Sequence, residues 1–173
     1  MKSPIIAKDY PSFNLRSVIS YKTPMQSIKS SLPDLAGQHS FIEDLILLLE
    51  MYSCLFDLDE VGLRSQVLDR AMFPRFHTDK LGCHLVTTYH GQGTEWLQNC
   101  DTERSKLGAG NKGLSDKKSG LFTHAASIQQ VSEGDIVLLK GDDWFANDGL
   151  GAVHRSPAVV PSEKHVVITM YFA

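Results

Sequence analysis

His77 and Asp79 stand two residues apart in RFHTDK, just ahead of the apolar run LGCHLVTTY. Side chains alternate along an extended chain, so this spacing turns an imidazole and a carboxylate toward one side. Such a pair can hold a metal ion, a proton or each other. A second imidazole stands late in the chain: His154, in GAVHRSP, follows the strand-like GDIVLLKG. Two histidines and a carboxylate are the ligand set of non-haem Fe(II) sites, in which open positions remain for exogenous ligands. Beyond His154, Lys164 opens the run HVVITMYF and is the candidate cation for the free carboxylate of an ion-bound 2-oxo acid. Arg75, two residues before His77, falls on the same side of a regular strand and is the rival anchor. Arg155 points away from His154, toward a substrate anion or behind Asp79 as an outer brace.

For these groups to meet, the intervening chain must fold as strands. Thr23-Pro24-Met25-Gln26 combines a capping residue, a proline at the first helical position and a glutamine three residues after the cap. It predicts a short helix toward Leu32 that Pro33 ends. Ser40-Phe41-Ile42-Glu43 repeats the pattern, and Phe41, Ile42, Leu45, Leu48, Leu49, Tyr52 and Leu55 keep helical spacing, predicting a helix that places its leucines and Met51 in the core. From Glu60 onward the texture changes to short runs broken by Gly, Asp and Pro, with strands expected over 61–68, 81–89, 128–131, 136–140, 152–154 and 166–172. Residues 98–120 are polar and glycine-rich and read as a long mobile loop, whose GAGNKG lacks the order of a phosphate-binding loop. The expectation is one domain over 1–173, with a helical lead-in over 1–58 and a β-roll core over 59–173. Its class is mainly β with N-terminal helices (α+β), a β-sandwich or jelly roll buttressed by helices.

The net charge of −3 and pI near 6.1 give no electrostatic reason to approach nucleic acid or an anionic membrane. The longest apolar stretch, LILLL, is too short to span a bilayer, and MKSPIIAKDYPSF lacks the apolar core of a secretory signal. Cys54, Cys83 and Cys100 form neither an even set nor a CxxC pair, which fits a reducing compartment, so the cytoplasm is expected. A zinc cluster of Cys83, His84, His90 and Cys100 is disfavoured, because adjacent residues of a strand face opposite ways and the gaps match no paired-ligand spacing. Trp96 and Trp144 are assigned to the core or the mouth of the roll, and His39, His124 and His165 to ordinary positions. No GxSxG elbow supports a serine hydrolase.

In order, RFHTDK, LVTTYHGQGTEWL, GDIVLLKG and GAVHRSP resemble the bacterial family DUF1826 from about Val61 to the C-terminus, with the lead-in matching more loosely. The same pieces resemble the Fe(II)/2-oxoglutarate-dependent oxygenases. Those enzymes carry HxD on an early strand of a double-stranded β-helix, a distal histidine on a late strand, and an Arg or Lys shortly after it. This resemblance implies a cupin-like double-stranded β-helix with His77, Asp79 and His154 as catalytic Fe(II) ligands. It implies Lys164 as the anchor of the far carboxylate of 2-oxoglutarate and Tyr89 as a hydrogen-bond donor to that carboxylate. The implied activity is oxidation of a small molecule or a protein side chain. Members of DUF1826 are often encoded near zinc-homeostasis genes, so the family resemblance implies, as the alternative, a non-catalytic zinc-binding roll held by the same three residues and linked to metal homeostasis.

Overall fold

β-Branched and aromatic residues dominate HVVITMYF, and such side chains suit a pleated surface covered on both sides. In the computed structural model, which describes residues 14–31, 38–161 and 163–173, this segment is the central strand of the larger of two sheets. The elements in chain order are β1 (Asn14–Ser20), α1 (Pro24–Ser31), α2 (Gln38–Phe56), β2 (Glu60–Leu68), β3 (Cys83–His90), β4 (Glu95–Leu97), α3 (Asp116–Ser119), β5 (Ile128–Gln130), β6 (Ile136–Lys140), β7 (Val153–Arg155) and β8 (His165–Phe172). The five-stranded sheet has the order β1-β2-β8-β3-β6 and the three-stranded sheet β5-β4-β7. All pairings among the described strands are antiparallel, and among the described residues neither sheet closes into a barrel. The class is thus mainly β with a few helices, and no described helix is long and apolar enough to cross a membrane.

The two faces of β8 separate two environments. Val166, Ile168 and Met170 are fully buried against α2, which contributes Phe41, Ile42, Leu45, Leu48, Leu49 and Tyr52. Each such side chain withdrawn from water stabilises the fold by roughly 1.5–3 kcal/mol, so this layer fixes the orientation of the sheet. Val167, Thr169 and Tyr171 face the other way, into a cavity. Helix α2 ends where Asp57 turns left-handed (φ 53°) and the Leu58 N–H donates back to the Ser53 carbonyl at 3.0 Å. A second, smaller core of Phe76, Leu97, Leu121, Phe122 and Val153 lies under the three-stranded sheet.

Several expectations need correction. Met51 is 53% exposed and Leu55 59%, because the apolar stripe of α2 is narrower than its hydrophobic residues suggest. The region before residue 59 is not purely helical: β1 pairs with β2 from Asn14↔Gln66 to Ser20↔Glu60. Only Leu15 and Ile19 of β1 are buried, an apolar signal too sparse to read as a strand. Strand β4 is likewise too short for alternation to show, and its Trp96 is exposed rather than in the core. Residues 98–120 contain short 3₁₀ turns and α3. Arg104 ties them down by donating to the carbonyls of Gly149 (2.8 Å) and Gly151 (2.7 Å). The first helix reaches Ser31, and both Leu32 and Pro33, like the N-terminal MKSPIIAKDYPSF, lie outside the described residues.

The Tyr52 hydroxyl crosses from α2 to donate to the Cys83 carbonyl at 2.7 Å, in a buried contact. Tyr52→Phe removes it while preserving the ring, and we expect a loss of about 1–2 kcal/mol in unfolding free energy, read from urea denaturation midpoints.

Candidate metal centre

Strand β7 is three residues long, paired on one side to β4 with Trp96 opposite His154. On its other side a single bridge joins His154 to His77: the His77 N–H donates to the His154 carbonyl and the His154 N–H to the His77 carbonyl, both at 3.0 Å. A reciprocal pair of this kind sets two residues directly opposite each other with side chains on one face. The imidazole centroids are 4.5 Å apart. Each ring is held the same way, with Nδ1 2.9 Å from the carbonyl two residues earlier, Arg75 for His77 and Ala152 for His154. A carbonyl only accepts, so Nδ1 carries the proton and the Nε2 lone pair is left free. Asp79 faces both, with Oδ1 3.5 Å from His77 Nε2 and Oδ2 3.5 Å from His154 Nε2. One donor atom from each residue lies within 4.8 Å of the others.

Two carboxylates outside this set hold it in place. Asp116 of α3 is buried and accepts from the Phe76 N–H (3.1 Å) and from Arg155 Nη1 (3.2 Å), which flank His77 and His154 in the chain. Asp142 accepts from Thr78 Oγ1 (2.7 Å) and from the Gly151 N–H (2.8 Å), tying the HxD segment to the approach of β7. The Asp142 N–H in turn donates to the Asp79 carbonyl at 2.8 Å. The neighbouring Gly141 has no room for a side chain, since a Cβ would fall 2.1 Å from the Leu81 carbonyl oxygen.

A third imidazole was not expected. His84 on β3 is 4% exposed, its ring centroid is 5.4 Å from that of His154, and its Nδ1 is 3.4 Å from Asp79 Oδ2 without hydrogen-bond geometry. Burial drives its pKa down to about 4 against the pull of Asp79. Burial also lowers His77, with His154 adding to the effect. For Asp79 burial acts upward, but the imidazoles of His154, His84 and His77 outweigh it and hold the carboxyl below its usual range. Protons therefore compete weakly for His77, His84 and Asp79 near neutral pH, which leaves those atoms open to a metal.

The site borders a cavity of about 320 Å³ whose floor is the face of the large sheet carrying His84, Val86 and Thr88 of β3 and Val167, Thr169 and Tyr171 of β8. Of the residues singled out in the sequence, His77, Asp79 and His154 come together and the others do not join them. Lys164 precedes β8 with the parity of Val166 and Ile168, does not line this cavity, and has its ammonium 3.8 Å from Asp69. Tyr89 shares the face of Leu85, stands edge-on to Phe41 at 5.3 Å, and donates its hydroxyl to Asp44 of α2. Arg75 turns outward to the Leu114 carbonyl and to Asp116 (3.4 Å). Arg155 reaches the cavity edge but is engaged by Glu95 (2.5 Å) and Asp116, over the ring of Phe76. In the sequence His84 enters only a disfavoured zinc cluster and is not placed beside Asp79, because every residue from Cys83 to Tyr89 is buried, both faces of β3 are covered and no alternation marks the inner one.

A family model described as "Protein of unknown function (DUF1826)" matches residues 11–170. No curated protein matches the chain. Among solved structures the chain is similar to peruvianin-I, a cysteine peptidase from Thevetia peruviana latex, at 13% identity and a TM-score of 0.34. The match covers 64% of this chain and spans about half, 48%, of the peptidase, too slight a likeness to carry an argument.

The buried imidazoles make a prediction for metal-free protein. Between pH 6.5 and about 4 the unfolded state binds a proton at residue 84 that the folded state refuses, so stability is intact above this window and falls as pH drops through it. The full loss from this group is about 3 kcal/mol at 1.36 kcal/mol per unit. Urea midpoints measured at intervals from pH 7 to 4 should show this slope, and His84→Asn should flatten it.

Proposed function

The chain belongs to the DUF1826 family, and from its site we propose that it is a mononuclear metal enzyme of the Fe(II)/2-oxoglutarate-dependent oxygenase kind, acting in the cytoplasm on a small molecule or a protein side chain. The observation that carries this reading is the reciprocal His77–His154 bridge, which presents two free Nε2 atoms to Asp79 at the wall of a cavity. The donor set fits Fe(II): two imidazoles, each with Nδ1 held by a carbonyl, and one carboxylate, gathered on one side. Iron with a 2-oxo acid and O₂ supplies the oxidising chemistry when bound, with decarboxylation of the 2-oxo acid. The chain's own part is to hold the ligands rigid, keep the His77 lone pair unprotonated, and shield the site with the apolar faces of Val86 and Val167. Lys164 and Tyr89 are occupied elsewhere, so the far carboxylate of the 2-oxo acid has to find its cation among the arginines of the cavity.

The strand path supports a jelly roll of the double-stranded β-helix type. Strands β2, β3, β6 and β8 go to one sheet, while the His77 bridge, β4, β5 and β7 go to the other, so the chain alternates between layers as it winds. A second reading, a non-catalytic zinc-binding roll, is favoured by His84, whose imidazole beside Asp79 offers a further nitrogen to an ion that prefers four N, S or O ligands in a tetrahedron.

Adding Fe(II) and 2-oxoglutarate without oxygen is expected to give a weak visible charge-transfer band, and air should then yield slow succinate formation. Tight zinc binding with neither signal would replace the oxygenase reading by the second. His154→Ala should remove stoichiometric metal binding in either case, measured by metal analysis after dialysis.

A further inference from the structure

Arginines without acidic partners among the described residues mark the side of the cavity away from the candidate metal ligands. Arg16 on β1 and Arg64 on β2 are direct partners in the antiparallel ladder, and both line the cavity. Two like charges placed opposite each other destabilise a sheet unless something neutralises them. Among the described residues no carboxylate lies within ion-pair distance of either, whereas Arg75, Arg155 and Lys164 all have acidic partners. Arg64 Nη1 meets only the Met72 thioether at 3.8 Å, a weak acceptor. Arg16 Nε donates to the Tyr171 hydroxyl at 3.3 Å. That contact is built in: Gly62 leaves space for the Tyr171 ring to lie across β2, and a Cβ there would fall 2.2 Å from it.

The charge balance points the same way. The chain carries a net −3, yet among the described residues lining its cavity Arg16, Arg64 and Arg70 face the one carboxylate of Asp79, while Arg155 is balanced by Glu95 and Asp116. We propose that Arg16 and Arg64, with Tyr171 holding Arg16, form a clamp for a carboxylate of the molecule that occupies the cavity. Guanidinium groups match a carboxylate geometrically and keep their charge at every accessible pH. His84 on β3 and Arg64 on β2 are separated by β8 alone, roughly 10 Å across the sheet, so one small molecule can reach both the metal ligands and the clamp. The carboxylate belongs either to the 2-oxo acid or to the substrate itself. This inference rests on the reading of the cavity as a ligand site and does not depend on which metal it holds.

The test uses the full chain as wild type, Arg64→Gln, Arg16→Gln and the double variant. In the first arm, zinc-loaded protein is titrated calorimetrically with glutarate. Arg64→Gln should weaken binding about tenfold or more and the double variant further, as expected for lost charge-assisted hydrogen bonds. Zinc content should be unchanged and the thermal midpoint should hold or rise, since a like-charge pair is relieved. In the second arm, anaerobic Fe(II) protein is titrated with 2-oxoglutarate and with 2-oxobutyrate, which lacks the far carboxylate. Weakening of 2-oxoglutarate alone by Arg64→Gln assigns the clamp to the 2-oxo acid. Unchanged affinity for both, with glutarate binding lost, assigns it to the substrate's carboxylate. Failure of wild type to bind glutarate, or a change under twofold in the double variant, overturns the clamp. Arginine-dependent glutarate binding without any 2-oxo acid complex would leave the clamp standing and remove the oxygenase reading.

Discussion

Two backbone hydrogen bonds, each 3.0 Å, between His77 and His154 set everything else at the site. They join segments that lie far apart in sequence, so the entropy of closing that loop has to be met by the packing around it. Packing meets it on both sides. The three-stranded sheet holds β7 through β4, and the small core of Phe76, Leu97, Leu121, Phe122 and Val153 fills the space behind. Because the bridge fixes backbone opposite backbone, the imidazoles inherit their alignment without relying on a flexible side-chain contact. The carbonyls of Arg75 and Ala152 then settle which nitrogen is bare.

The larger sheet plays a different part. Its α2 face is a hydrophobic core, while its other face is a mixture of His84, Val86, Thr88, Thr169, Tyr171 and Arg64 that no core would choose. A sheet that buries one face to exist and spends the other on polar and charged groups divides stability from recognition along a single strand, residue by residue. That division in β8, with Ile168 and Met170 on one side and Thr169 and Tyr171 on the other, is why the cavity can carry arginines that have no acidic partner among the described residues without loss of the fold.

Much of this was legible in the sequence. Period-two spacing placed His77 and Asp79 on one side, the texture change at Glu60 located the strands, and the order of motifs supplied His154 as the distant partner. The residues that resisted reading did so for physical reasons. Tyr89 fell on the α2 side because the register of β3 is set by its core residues, and a one-residue shift reverses a side chain; Lys164, just ahead of β8, lies beside Asp69 instead. His84 lies on a strand buried on both faces, where sequence carries no sign of direction. Arg16 and Arg64 face each other only through the β1–β2 ladder, a pairing across dozens of residues that no local pattern announces.

The glycine-rich stretch between β4 and β5 is where these points converge. Through Asp116 it grips the residue before His77 and the residue after His154, and through Arg104 it grips the turn that leads to β7. By linkage, whatever free energy an ion gains from aligned histidines is shared with the order of this stretch. An ion held by these histidines would therefore also protect that stretch from a protease, one equilibrium observed at two places.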